Sequence, residues 1–154
     1  MVGKNKVLIQ NNLEKTIKLI SMGLAFLGVA DSIYLLVLKY TQAEVMCIGN
    51  HGCLTVNNSS YSMIYGIPVS LIGILGYLCI AGTLFLENRL KFFKEQGALL
   101  VFGEALVGVI FSAYLTWIEI SVLHAACPFC VGSAVIIFLI FILAVVRLIK
   151  QPNI

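Results

Sequence analysis

The chain has 154 residues, 60% of them hydrophobic and 11% charged, with a mean hydropathy of +1.03. A soluble domain carries about a quarter charged residues, so the composition excludes an ordinary soluble enzyme and points to an integral membrane protein. The net charge of +3 carries no nucleic-acid signal, because the Lys and Arg residues flank apolar runs and no Gly-rich phosphate loop accompanies them.

Residues 1–18 hold Lys4, Lys6, Lys15 and Lys18 against Glu14 and read as a basic, surface-lying lead-in. The first span covers about residues 19–38, interrupted by Asp31 and small polar residues. It is too long for a signal-peptide core and lacks a small-residue cleavage site, so it reads as a retained anchor. Residues 39–65 form the longest polar segment, with Cys47-Ile48-Gly49-Asn50-His51-Gly52-Cys53 followed by a stretch suited to a short interfacial helix. The second span is about 67–86, and Gly66, Ser70, Gly73 and Tyr77 recur there at helical spacing. Small residues in that pattern would let another helix approach closely. A turn is expected over 87–97, then a third span over 98–122 containing Glu104 and Glu119. His124-Ala125-Ala126 leads into Cys127-Pro128-Phe129-Cys130, which opens a fourth span over 127–146. Each span is near the roughly 20 residues that a bilayer requires. The expected fold is all-α: a single membrane domain, residues 1–154, forming a four-transmembrane-helix bundle with an extracytoplasmic loop that carries a cysteine pair.

Orientation follows from the basic residues. Four spans put the amino terminus, the 87–97 turn and the carboxyl terminus on one side, with every Lys and Arg except Lys39. The positive-inside rule makes that side cytoplasmic. The 39–65 loop and the corner before Cys127 then face outward. Cys47, Cys53, Cys127 and Cys130 meet at the outer surface, where disulfides persist. Cys79 stands alone in mid-membrane and reads as an inert apolar filler.

Cys-x-x-Cys at a helix start is a redox arrangement. The free N–H groups and positive dipole end of the first turn favour a thiolate, and Pro128 suits the first helical position. One helical turn separates Cys127, the shallower sulfur, from Cys130, the deeper one. Two dithiols at one surface suggest thiol–disulfide relay, from a soluble partner to the loop pair, then to the helix pair, then to a lipid-soluble two-electron acceptor such as a quinone. The bland readings are a static Cys47–Cys53 disulfide and two packed cysteines on the helix. A zinc site using His51 would need an unusual ligand spacing. Asp31, Glu104 and Glu119 are costly within a bilayer. All three would face the bundle interior or water; Glu119, near the outer end, also suits an interfacial place, and Asp31 and Glu104 suit either a proton route or a hydrogen bond to a neighbouring helix. His51 and His124 either favour nearby thiolates or sit as polar residues at a wet surface. Phe111, Tyr114, Trp117 and Phe129 suit the lining of a quinone pocket, but most read as packing or interface residues.

The order of these features carries a resemblance: loop Cys47-x5-Cys53, Ser59, Tyr65-Gly66-Ile67-Pro68-Val69-Ser70-Leu71-Ile72-Gly73, and a fourth-helix Cys-Pro-Phe-Cys. Over about residues 15–150 the chain resembles the bacterial and archaeal branch of the vitamin K epoxide reductase family. The resemblance implies a quinone-dependent thiol–disulfide oxidoreductase of the inner membrane, multi-pass, with both termini cytoplasmic, supporting disulfide bond formation. Cys130 would face the quinone (ubiquinone or a menaquinone of the vitamin K type), and Ser59 would lie near the quinone end of the site. Cys127 would resolve Cys130 and exchange with Cys53, and Cys47 would form the mixed disulfide with a DsbA-like thioredoxin-fold partner. Some relatives carry a fused thioredoxin-like domain; here a separate partner is expected. Animal enzymes have a Tyr where this chain has Ala134, which favours plain quinone reduction over epoxide reduction. DsbB-type enzymes place their cysteine pairs in the reverse order. A small four-span heavy-metal transporter of the MerC kind is the alternative from a different class, but it would require a receiving cysteine pair toward the cytoplasm.

Overall fold

The computed structural model describes residues 2–41 and 52–150. Cys47 and His51, and with them the loop-pair expectation, lie outside the described residues. Four long apolar helices span lengths sufficient to cross a membrane. They are α1 (Val2–Thr41), α3 (Val69–Leu86), α4 (Lys91–Ser121) and α5 (Pro128–Lys150). Between α1 and α3 lie a short α2 (Gly52–Asn57), a 3-10 turn (Ser60–Ser62) and a small hairpin of β1 (Met63–Ile64) and β2 (Ile67–Pro68). The strands are antiparallel, pairing Met63 with Pro68 and Ile64 with Ile67. Both hairpin-turn residues have positive φ, 50° at Tyr65 and 83° at Gly66, the pattern of a type I′ turn. Gly66 therefore belongs to a turn and not, as its spacing suggested, to the face of the second span.

Two helices start earlier than the hydropathy predicts. α1 is continuous from Val2, about 60 Å long at 1.5 Å per residue, so residues 2–18 extend the first span and do not form a separate surface-lying lead-in. Contacts to α5 hold this extension: Gln10 Nε2 donates to the Lys150 carbonyl at 2.6 Å, and Glu14 reaches Arg147 at 3.4 Å. α4 begins at Lys91, leaving a turn of only 87–90, where the Lys94 N–H reaches the Leu90 carbonyl at 3.0 Å. Gly97 does not break this helix. It is the point where α4 touches the Glu87 side chain, and a Cβ there would come within 2.8 Å of Glu87 Cγ.

The core lies between α1, α3, α4 and α5, with Ala25, Tyr77, Ile80, Leu84, Val101, Ala105, Ile137 and Ile140 buried together. Small residues set the close approaches. A Cβ on Gly73 would lie 2.9 Å from Ser32 Oγ, and one on Gly108 would lie 2.7 Å from Ile137 Cγ1. The Tyr77 ring fills the space that a side chain at Gly28 would need. The expected role of Gly73 is thus met by α1, and Tyr77 is the knob and not part of the groove.

One end of the bundle is closed by charge. Glu87 (2% exposed) bonds Arg147 (3% exposed) at 2.5 Å and Lys18 at 2.7 Å, and Glu14 joins both cations at 3.4 and 3.7 Å. This cluster ties the amino-terminal third of α1 to the end of α3 and the end of α5. The Cys-Pro-Phe-Cys stretch lies at the opposite end.

Candidate active site

α4 ends in a compact corner. Ile118 O accepts the N–H groups of Val122 (2.9 Å) and Leu123 (3.1 Å), and Glu119 O accepts that of Ala125 (3.1 Å). His124 takes a positive φ of 47°, which turns the chain back on itself, and its side chain is exposed. The chain then enters α5 directly. The first helical bond runs from the Val131 N–H to the Cys127 carbonyl at 3.0 Å. Cys127 is therefore the residue before the helix and Pro128 is its first position, as the missing N–H of proline requires.

Cys127 is fully buried, Cys130 is partly buried, and no disulfide links them. Their side chains act on one another electrostatically. Leu35 of α1, Val56 of α2 and Phe129 pack around them, and the Phe129 ring leans on Tyr34 with centroids 4.6 Å apart. Cys53 lies in α2 one turn before Val56, so the segment that packs on the helix dithiol also carries one of the two loop cysteines.

The end of α2 is anchored to α1. Lys39 Nζ donates to Asn57 O at 2.8 Å and Ser62 Oγ at 2.5 Å, and Asn57 Nδ2 donates to Leu35 O at 2.8 Å. Lys39 stood out in the sequence only as the lone basic residue on its side; its part in holding the loop has no sequence signal. Ser59 Oγ donates to Val56 O at 2.7 Å, which ends α2 in a local side-chain turn.

A cavity of about 730 Å³ opens beside Cys130 and runs between α3 and α4. Ser59 and Ser62 stand at one end of its wall, with Cys130, Ser133 and Glu119 beside them and Gly76, Cys79, Leu100 and Glu104 further along. Ser59 and Cys130 are thus brought to one cavity. Cys79 is exposed on its wall, a different place from the packed filler position its sequence suggested. Phe111 also lines it, whereas Tyr114 and Trp117 point outward, 53% and 60% exposed.

The three intramembrane acids have separate environments. Glu104 Oε1 accepts from Thr83 Oγ1 of α3 at 3.0 Å, the interhelical bond that its position allowed, while Oε2 is buried and unpartnered. Asp31 Oδ2 is likewise buried and unpartnered. It lies within electrostatic reach of Tyr77, whose hydroxyl meets the Ser133 carbonyl (2.8 Å) and Oγ (2.9 Å) one turn beyond Cys130. Glu119 is not interfacial. It is 4% exposed, it shares the cavity wall with Cys130, and its carboxyl group acts electrostatically on the Cys130 thiol. Sequence reasoning left interior and interfacial places open because position 119 falls at the end of a span, where hydropathy alone cannot separate a wet residue from one folded under a corner. Among the described residues, no group of three or more His, Cys, Asp or Glu side chains is arranged to hold a metal ion.

Chemically, the arrangement is a dithiol at a helix start, closed off by packed side chains on one face and open to an apolar cavity on the other. The comparison with known proteins agrees with it. The model of the vitamin K epoxide reductase family matches residues 19–145. The chain is similar to the thiol-disulfide oxidoreductase LTO1 of Arabidopsis thaliana, 32% identical over 121 residues, which is 75% of this chain and 32% of that protein. The chain thus spans about a third of this curated relative's length, and the family match over residues 19–145 takes in the Cys-Pro-Phe-Cys stretch and most of the four apolar helices. This four-helix chain belongs to the vitamin K epoxide reductase family.

Proposed function

We propose that this protein is a membrane thiol oxidoreductase that passes electrons from a DsbA-like thioredoxin-fold partner to a quinone and so supports disulfide formation. The observation that carries this reading is that Cys130 lines the wall of a largely apolar cavity while Cys127 is fully buried beside it. A bound quinone supplies a two-electron, two-proton acceptor that is soluble in lipid. The cavity suits such a molecule. Its wall is mostly aliphatic, and it carries buried polar atoms without partners, Ser70 Oγ and Glu104 Oε2. Buried polar atoms are otherwise satisfied in the large majority of cases. Ser59, Ser62 and Cys130 would border the ring, and the groove between α3 and α4 would take an isoprenoid tail.

The remaining steps belong to the protein. Cys47 forms the mixed disulfide with the partner, Cys53 carries the oxidising equivalent between the loop and Cys127, and Cys127 resolves Cys130. The place of α2 supports the middle exchange, since Val56 packs on the helix dithiol one turn after Cys53. The cysteine end faces away from the cytoplasm, because nine of the ten Lys and Arg residues belong to the opposite end. Ala134, one turn after Cys130, provides no hydroxyl, so the reaction is quinone reduction and not epoxide reduction.

The deciding experiment supplies purified protein with a reduced thioredoxin-fold partner and follows quinone reduction. Cys130→Ala and Cys53→Ala are each expected to bring turnover to background, a fall of at least about 10³-fold, because groups that act as a unit fail together. Turnover that survives both substitutions rules the relay out.

A further inference from the structure

Glu119 has no part in the relay as stated, yet it is among the most buried polar side chains of the chain. Three features place it there. Its carbonyl holds the Ala125 N–H at 3.1 Å, which winds the 122–127 corner over it. Its carboxyl group neighbours the Cys127 backbone, at the positive end of α5. The same carboxyl group acts electrostatically on the Cys130 thiol and lines the cavity that Cys130 faces. A carboxylate is an expensive group to bury, and a structural corner would be equally served by Gln or Asn, which also accept an N–H.

We propose that Glu119 is the proton acceptor of the helix dithiol: it takes the Cys130 thiol proton as that sulfur becomes nucleophilic and returns it on the cavity side. The inference builds on the quinone reading above. Forming the Cys127–Cys130 bond releases two electrons and two protons. The quinone takes the electron pair and two protons, and Glu119 carries a proton across the gap between thiol and cavity, ending in the form in which it began. General-base transfer of this kind contributes about 10²–10⁴-fold to a rate, and base and acid line one cavity wall before any acceptor binds.

Among the described residues, the charged and titratable groups around the pair are few. Cys130 is acted on by Cys127 and Glu119. From α1, Lys39 is turned toward Asn57 and Ser62, and Asp31 acts on Tyr77, which meets Ser133 one turn deeper. His124 on the corner is exposed.

The test compares wild type, Glu119→Gln and Glu119→Asp in single-turnover oxidation of the reduced protein. One arm uses quinone. The other uses diamide, an azo oxidant that takes two electrons and two protons from a dithiol without any quinone. Glu119→Gln is expected to slow both arms by about 10² or more, with a rate that climbs steeply with pH as hydroxide replaces the missing base. Glu119→Asp keeps a carboxylate and is expected to stay within about tenfold of wild type. A structural role alone would lower the rate by one factor at every pH, leaving the profiles parallel. Parallel profiles, or a Glu119→Gln rate equal to wild type in the diamide arm, overturn the proposal. Should wild type fail to reduce quinone while the diamide arm behaves as stated, the quinone reading falls and the role of Glu119 stands. If Glu119→Gln does not fold, Glu119→Asp decides: a diamide profile parallel to that of wild type at a rate lowered more than tenfold overturns the proposal.

Discussion

At one end of the bundle Glu87, Arg147, Lys18 and Glu14 close on one another; at the other, Glu119 is buried beside the Cys130 thiol. Both ends bury carboxylates, but they spend them differently. Glu87 meets two cations at 2.5 and 2.7 Å, so its charge is neutralised in place and helps bind three helices together. Glu119 neighbours the Cys127 backbone and acts on the Cys130 thiol, so its partner carries a proton that can move. An ion pair in a dry interior resists rearrangement because any separated state leaves an uncompensated charge. A carboxylate–thiol contact has no such lock. The contrast divides the molecule into an end that holds the fold and an end equipped for chemistry.

Breaking the charged end tests this division with the largest effect on stability. Arg147→Ala leaves Glu87 with Lys18 alone and is expected to cost about 3–5 kcal/mol, as for other buried pairs that lose one member, measured by thermal unfolding in detergent. Diamide oxidation of the helix dithiol in the folded fraction is expected to remain at the wild-type rate. A large fall in that rate at unchanged stability would erase the distinction between the ends.

Lys39→Met probes the cysteine end through its support. Losing two charge-assisted hydrogen bonds is expected to cost about 1.5–3 kcal/mol in the local ordering of residues 55–62, visible as faster hydrogen exchange there. Partner-driven turnover should fall several-fold, because α2 no longer sits firmly on the dithiol, while diamide oxidation should hold. Equal losses in both assays would mean that Lys39 supports the whole bundle and not the loop.

Tyr77→Phe sharpens the boundary between the two regions. It removes the hydroxyl that meets Ser133 at 2.8 and 2.9 Å and is expected to cost about 1 kcal/mol, with little change in either redox assay. A loss of turnover by tenfold or more would extend the chemical region to Asp31 and Tyr77.

Much of the fold was legible from residue types. Lipid as solvent forces every backbone group of a span to be satisfied internally, so long apolar runs read directly as helices, and Pro128 marked the start of α5 to the residue. The early starts of α1 and α4 were not legible. Polar residues such as Lys15 and Glu95 are compatible with either loop or helix, and the choice fell to contacts made far away: Glu14 with Arg147, and Gly97 with Glu87. Gly66 and Gly73 look alike in sequence, yet one makes a hairpin turn and the other a helix contact, because that depends on whether the chain around each is hydrogen-bonded to a strand or to itself.

The candidate site divides in the same way. Residue type and order alone determined that this is a four-span membrane chain with a dithiol at the start of its last helix, since hydropathy and the start of a helix are local properties. Only the tertiary structure decided which partners surround that dithiol. It set Val56 of α2 against Cys127 and anchored α2 through Lys39. It also folded Glu119, eight residues before Cys127, back beneath the corner. Those contacts arise from the close packing of separate segments, and the burial that makes Glu119 a proton acceptor and not a surface carboxylate exists only once the corner has closed over it.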